Sequence, residues 1–124
     1  MLGHLSFGVA DLARASTFYD AALTALGYAR VFTGPRSVGY GLAGTDKDKL
    51  LLIHQPKDAG PPGAGFHLAF AAQSREAVDR FHAAALRNGG VDNGAPGLRP
   101  HYGPAYYAAF VIDPDGHRLE AVCQ

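Results

Sequence analysis

The fold is decided by two matching stretches, HLSF at residues 4–7 and HLAF at residues 67–70, in a chain of 124 residues. The two stretches lie 63 residues apart, and extending the alignment to Gly27 and Gly90 keeps eight of 24 positions identical without a gap. Matched alanines are weak evidence for a repeat in so alanine-rich a chain, whereas the matched His, Phe and Gly residues are strong evidence. The chain therefore contains two copies of one structural unit, and a repeat of this kind determines the fold.

Both copies begin with a strand that leads into a helix. Residues 3–9 alternate between large apolar side chains and small or polar ones, which is the period of a half-buried strand. Asp11 is predicted to cap a helix whose apolar side chains recur at helical spacing, and Gly27 is predicted to end it. The second copy repeats the pattern, with a strand at 66–72, a cap at Ser74 and a helix that ends at 88–90.

The remainder of each copy is predicted to form strands. They lie near 28–33, 36–43 and 49–54 in the first copy, and near 91–94, 105–112 and 117–123 in the second. Asp-Pro-Asp-Gly at 113–116 predicts a tight turn before the last strand. A link rich in Pro and Gly separates the copies, which span about 1–57 and 64–124 of a single domain. The expected architecture is an α+β fold, in which duplicated β-α-β-β-β units form a curved, mostly antiparallel sheet with the helices on its outer face.

Composition excludes several classes of protein. Eleven Lys and Arg residues balance eleven Asp and Glu residues, and this neutrality argues against nucleic-acid binding and membrane-surface binding. No apolar run approaches the ~20 residues of a membrane-spanning helix. The first residues lack the basic start and apolar stretch of a signal peptide, and the single cysteine, Cys123, excludes an internal disulfide framework. We therefore expect a cytoplasmic protein whose partner is a small molecule.

Strand alternation assigns two imidazoles and one carboxylate to the same cleft. If Leu5 faces the helices, then His4 faces the cleft, and the repeat assigns His67 to the matching position. In the last strand, Leu119 is assigned to the helices and Glu120 to the cleft. Two His and one carboxylate are a ligand set for a divalent transition metal with positions left open for substrate or water. A lone strand His is more often a surface or hydrogen-bonded residue, so the weight rests on the matched pair.

These features resemble the vicinal oxygen chelate superfamily, which includes glyoxalase I, extradiol dioxygenases, fosfomycin-resistance enzymes and bleomycin-binding proteins. The resemblance rests on the opening tract at 4–9, on the duplicated unit, and on the Asp-Pro-Asp-Gly turn four residues before Glu120, and it covers essentially the whole chain. It implies that His4, His67 and Glu120 bind a divalent metal ion (Zn, Fe, Ni or Mn). The metal would act as a Lewis acid on a substrate bound through two neighbouring oxygens, with Glu120 counted among the catalytic residues.

The sequence departs from the glyoxalase I pattern in the first copy. Glyoxalase I also uses a carboxylate in the last strand of its first half, where this chain has Leu51. No Asp or Glu occupies residues 49–55. The departure fits the three-ligand arrangement of the dioxygenase and fosfomycin-resistance branches better than a four-ligand site. Gln55, which has the inward parity of Leu51, is predicted to be a substitute ligand or a substrate contact.

Residues 94–104 form the most unusual tract, GAPGLRPHYGP, and are predicted to be a functional loop of 11 residues. Arg99 could pair with a substrate carboxylate in a forked geometry. His101 could exchange a proton near neutral pH. Tyr107 is predicted to reach the cleft. The alternative is a proline-stiffened loop whose polar side chains are simply solvated.

Three functional hypotheses follow. The first is a metal-dependent lyase or dioxygenase acting on a small oxygen-rich substrate. The second is a metal-free protein that sequesters a small molecule or antibiotic; it ranks lower because cationic drugs favour an acidic cleft, and this chain is neutral with Arg99 near the cleft. The third is a scaffold or regulatory module. A homodimer is expected because an open sheet leaves edges to cover. The two units pair either within a chain or across two chains, and in the second case His4 lies on a different subunit from His67 and Glu120.

Overall fold

Each half of the chain folds as a strand, a helix and three further strands. The computed structural model describes residues 2–124, and Met1, where the predicted first copy begins, lies outside the described residues. The first half contains β1 (Leu5–Val9), α1 (Leu12–Thr24), β2 (Tyr28–Thr33), β3 (Ser37–Leu42) and β4 (Leu50–His54). The second half contains β5 (Leu68–Ala71), α2 (Arg75–Arg87), β6 (Val91–Leu98), β7 (Tyr107–Ile112) and β8 (Arg118–Cys123). The predicted α+β class and the duplicated β-α-β-β-β unit are confirmed.

The strands form two open four-stranded sheets, in the orders β1-β4-β3-β2 and β5-β8-β7-β6. The first strand of each half pairs in parallel with the last strand of the same half, and the other pairs are antiparallel. The fold therefore has two mixed sheets where one was expected, because each ladder is completed within its own half. Strands β1 and β5 lie at sheet edges.

The predicted helix caps are present in both halves. The Asp11 side chain accepts a hydrogen bond from the backbone N–H of Arg14 at 3.0 Å, and the Ser74 hydroxyl accepts one from the N–H of Ala77 at 3.1 Å. These bonds satisfy N–H groups that the first helical turn leaves unpaired. Gly27 follows α1 with a φ of 83°, a conformation that favours glycine. Both helices bury their apolar side chains in one shared core.

Strand β6 is longer than predicted. Its partner strand is β7, and the pairing continues past Gly94 as far as Leu98, with one register shift on each side of Gly94. Glycine and proline hid this strand from pattern analysis, because an irregular strand tolerates residues that a regular ladder disfavours. The predicted loop at 94–104 is therefore strand at its beginning, and the connection to β7 starts only at Arg99.

The turn between β7 and β8 ties the second half to the first, and α1 packs against α2. Four hydrogen bonds connect them: Tyr19 Oη to Asp113 Oδ2 at 2.7 Å, the Ala10 N–H to Asp115 Oδ1 at 2.9 Å, Arg14 Nη2 to the same Oδ1 at 3.3 Å, and His117 Nε2 to the Gly8 carbonyl at 3.0 Å. Neither helix is long and apolar enough to cross a membrane, a finding that applies to residues 2–124.

Candidate functional site

Two of the three predicted metal ligands lie side by side at the start of the second sheet. His67 directly precedes β5, and Glu120 lies on the neighbouring strand β8, opposite Ala69. The Nε2 atom of His67 is 3.1 Å from Oε2 of Glu120 and donates a hydrogen bond to it. The Glu120 side chain is only 2% exposed, whereas that of His67 is 52% exposed. The pair therefore joins a buried carboxylate to an imidazole that solvent can reach.

The second oxygen of Glu120 is held by a residue that the sequence analysis did not select. Tyr106 lies just before β7, and its hydroxyl donates to Oε1 of Glu120 at 2.6 Å. Burial and, to a lesser extent, the hydrogen bond to Glu120 together raise the pKa of Tyr106 to about 12. The phenol therefore keeps its proton at neutral pH and remains a donor.

Tyr107 lies on the opposite face, which corrects the prediction that it reaches the cleft. Its hydroxyl donates to Oδ1 of Asp79 on α2 at 2.7 Å, and the guanidinium of Arg75 lies 5.2 Å from its ring centre. The reason is the register of β7 with β8, in which Phe110, not its neighbours, pairs with Glu120. Side chains on alternate residues share a face, so Tyr107 belongs to the helix side. With this register known, the orientation of Glu120 would have predicted that Tyr106, and not Tyr107, faces the cleft.

Phe110 forms the floor of the site. It is the cross-strand neighbour of Glu120, and such neighbours project from the same face. The His67 ring lies 6.4 Å from the Phe110 ring centre, and the guanidinium carbon of Arg99 lies 5.4 Å from it. An imidazole and a cation thus both lie beside the aromatic ring.

Arg99 is held against this floor by backbone contacts. Its Nη2 donates to the carbonyl of Ala95 at 2.7 Å. A Cβ at Gly94 or Gly97 would lie 3.4 or 3.2 Å from the guanidinium nitrogens, so these glycines leave room for it. None of the ion pairs formed within residues 2–124 involves Arg99. Its charge is therefore available to an anionic group.

His101 and Gln55 lie further from the carboxylate. The exposed ring of His101 lies 4.1 Å from that of Tyr102 at an angle of 42°, and the Tyr102 ring lies 5.2 Å from that of Tyr106. A row of rings thus leads from His101 towards Tyr106. Gln55 lies in the first half, next to Gly8: a Cβ added at Gly8 would be 2.9 Å from the Cβ of Gln55. The hydrogen bonds of the described part of the chain do not join His101 or Gln55 to Glu120.

His4 lies apart from the pair formed by His67 and Glu120. It is exposed and lines an apolar cavity of about 350 Å³, together with Lys49 and residues 68–71 of β5. Within residues 2–124, no three His, Cys, Asp or Glu side chains come together as a metal-binding group. A single chain therefore assembles two of the three predicted ligands.

The geometry of the assembled pair fits a divalent transition metal. Ligand nitrogen and oxygen atoms at ~2.1 Å from one ion lie about 3 Å apart when the angle between them is near 90°. The separation of 3.1 Å between Nε2 and Oε2 matches this distance. Imidazole and carboxylate together are donors that Zn, Fe, Ni and Mn accept.

Comparison with known proteins gives matches along nearly the whole chain. A family model described as Glyoxalase/Bleomycin resistance protein/Dioxygenase superfamily matches residues 1–121. A glyoxalase/bleomycin resistance protein from Albidiferax ferrireducens T118 is 33% identical with a TM-score of 0.83, covering 98% of this chain and 96% of that one. A putative glyoxalase from Bacillus halodurans is 27% identical with a TM-score of 0.72, covering 100% and 96%. A glyoxalase I mutant from Zea mays is 24% identical with a TM-score of 0.72, covering 96% of this chain and 44% of that one. No curated protein matches the chain.

Proposed function

Because the chain belongs to the Glyoxalase/Bleomycin resistance protein/Dioxygenase superfamily, we propose that it is a metal-dependent enzyme of the lyase or dioxygenase type. Its substrate is a small oxygen-rich molecule. The observation that carries the proposal is the 3.1 Å contact between His67 Nε2 and Glu120 Oε2, with His4 as the third ligand. The metal, when bound, supplies a Lewis acid to two neighbouring oxygens of the substrate.

The side chains around the pair recognise and orient the substrate. Arg99 accepts a carboxylate or another oxyanion, since its charge lies unpaired over Phe110 and a guanidinium binds planar anions through two N–H groups. Phe110 offers a flat apolar surface beneath the substrate. His101, at the exposed end of the row of rings, exchanges protons between the substrate and solvent. Gln55 contacts the substrate from the first half.

We propose further that the protein is a homodimer and that its site is shared between subunits. The separation of His4 from His67 and Glu120 supports this arrangement, because a second chain can bring its own His4 to the pair. The edge strands β1 and β5 leave backbone groups for a partner to cover. Light scattering at micromolar concentration tests it, and a monomer would contradict it. A cytoplasmic location belongs to the same proposal, since Cys123 is a free thiol.

The second candidate is a metal-free protein that sequesters a small molecule or antibiotic. One observation favours it, namely that a single chain does not assemble three metal-binding side chains within residues 2–124. The apolar cavity of about 350 Å³ would then be the binding site. This candidate predicts ligand binding that is independent of added metal.

Metal content separates the two candidates. The protein is purified without a metal-chelating tag, and its metals are measured by elemental mass spectrometry after reconstitution with Zn, Fe, Ni or Mn. His4→Ala and His67→Ala each remove one ligand. His54→Ala is the matched control. His54 ends β4 and is paired in the sheet with Val9 of β1, whose side chain lies in the core. Paired residues project from the same face of a sheet, so His54 is on the face away from the site.

We expect about one metal ion per chain in the wild type and in His54→Ala, and loss of that ion in the two ligand variants. Iron would favour dioxygenase chemistry, whereas nickel, zinc or manganese would favour lyase or transferase chemistry. A full metal complement in His67→Ala would overturn the ligand assignment. A wild type that stays free of metal in all four reconstitutions would favour the sequestration protein.

A further inference from the structure

The two oxygens of Glu120 are held by groups of different kinds. Oε2 faces His67 Nε2, a nitrogen that binds metals when it carries no proton, and Oε1 accepts from the phenol of Tyr106 at 2.6 Å. A phenol that keeps its proton donates a hydrogen bond and does not compete for a cation. Only one of the two oxygens is therefore directed towards a second metal ligand.

We infer that Tyr106 is a positioning residue that holds Oε1 of Glu120, so that the carboxylate binds the metal through Oε2 alone. The inference rests on the proposed metal site. The short hydrogen bond fixes the rotation of the carboxylate about its last side-chain bond, and burial of Glu120 leaves no solvent to replace the phenol. Fixing a ligand in its binding orientation lowers the cost of binding, and loss of such a partner typically weakens metal affinity 10–100-fold.

Strand β7 provides a matched control for this inference. Tyr107 also donates a hydrogen bond to a carboxylate, that of Asp79 at 2.7 Å, but on the other face of the strand. Tyr106→Phe and Tyr107→Phe therefore remove the same chemical group and the same kind of bond from adjacent positions. Only the first change reaches Glu120.

The test is titration calorimetry of each tag-free protein with the metal ion that the wild type retains. We expect Tyr106→Phe to bind the ion 10–100-fold more weakly than wild type and Tyr107→Phe to bind it as the wild type does. Affinity in Tyr106→Phe within about twofold of wild type would overturn the inference and leave the proposed function standing. A wild type that binds no ion would overturn both.

Infrared spectroscopy gives a second readout that needs no change at Tyr106. Glu76 and Glu120 are the two glutamates of the sequence, and Glu76 lies exposed in the first turn of α2. In Glu76→Gln protein made with ¹³C-labelled glutamate, the isotope-shifted carboxylate bands report Glu120 alone. We expect the two stretching bands to move apart on metal loading, as they do for a carboxylate that binds through one oxygen. Bands that move together would show binding through both oxygens and would overturn the inference.

Discussion

The two halves of the chain share a framework and differ on the face opposite the helices. Ser6 and Ala69 occupy the same position in the two copies. Leu51 is the sheet partner of Ser6, and Glu120 is the sheet partner of Ala69, so Leu51 is the counterpart of Glu120. On the next strand, Gly39 is the partner of Leu51 and Phe110 is the partner of Glu120, so Gly39 is the counterpart of Phe110. The first half thus has a leucine and a glycine where the second has a carboxylate and an aromatic ring. Duplication supplied the framework twice, and the second copy alone carries the carboxylate.

The segments before β4 and β8 extend this difference. In the first half, the segment folds over its own sheet: a Cβ at Gly39 would lie 2.7 Å from the Cβ of Asp48, and one at Gly41 would collide with the Lys47 carbonyl. In the second half, the turn at 113–117 instead reaches across to the first half. The first half therefore covers its own face, and the second leaves its face open to a ligand.

The largest expected effect concerns the two imidazoles at matched positions, His4 and His67. If the site is shared between subunits, His4→Ala and His67→Ala each lose the metal as homodimers. Mixing the two variants creates heterodimers in which one site is intact and the other lacks both imidazoles. Random exchange should therefore restore about one quarter of the wild-type metal content. Elemental mass spectrometry of the remixed protein measures this recovery.

The mixing experiment has a direct control. Two preparations of the same variant, exchanged in the same way, should remain without metal. If mixing His4→Ala with His67→Ala restores nothing although the subunits exchange, each chain holds its own three ligands, and the proposal of a shared site fails.

The next effect concerns the covered face of the first half. Gly41→Ala places a Cβ against the Lys47 carbonyl, and the segment must move away from β3 to accommodate it. We expect the free energy of unfolding to fall by about 3 kcal/mol, measured by urea denaturation. Gly63→Ala is the control, because nothing lies within 4 Å of a Cβ there. Equal stabilities for the two variants would mean that the segment does not close over β3 in solution.

The sequence predicted the framework better than the site. The repeat from His4 to Gly27, together with the caps at Asp11 and Ser74, was sufficient for the element order, because periodicity and capping are local properties. Strand parity also predicted that His67 and Glu120 face the same cleft, and the two side chains lie in contact. Tyr106 was missed because selecting it requires the register between β7 and β8, and register depends on turn geometry and non-local pairing.

A smaller effect is expected at the junction of the halves. Tyr19→Phe removes the hydrogen bond to Asp113, a residue that is 3% exposed, so solvent does not replace the lost bond. We expect a loss of about 2 kcal/mol in the free energy of unfolding, measured by urea denaturation. Tyr28→Phe is the control, since its hydroxyl bonds the Ala71 carbonyl at 3.3 Å in a more exposed place. A loss in Tyr19→Phe no larger than in this control would show that the junction does not depend on the phenol.

The smallest expected effect is a pH dependence at the same junction. Burial raises the pKa of the Asp113 carboxyl above its ordinary value of 3.8, although hydrogen bonds from Tyr19 and from two backbone N–H groups act against this. Between the ordinary pKa and the raised one, the native state keeps a proton that the unfolded chain has lost. The stability from this group is therefore fully present below pH 3.8 and is lost as the pH rises through the native pKa.

Asp113→Asn removes the titration and keeps an oxygen for the backbone N–H groups. We expect the unfolding free energy of the wild type to decline relative to Asp113→Asn as the pH rises from 3.8 through the raised native pKa, measured by urea denaturation. A constant difference over that range would contradict the raised pKa, and a wild type that gains stability relative to the variant would mean that the hydrogen bonds outweigh burial.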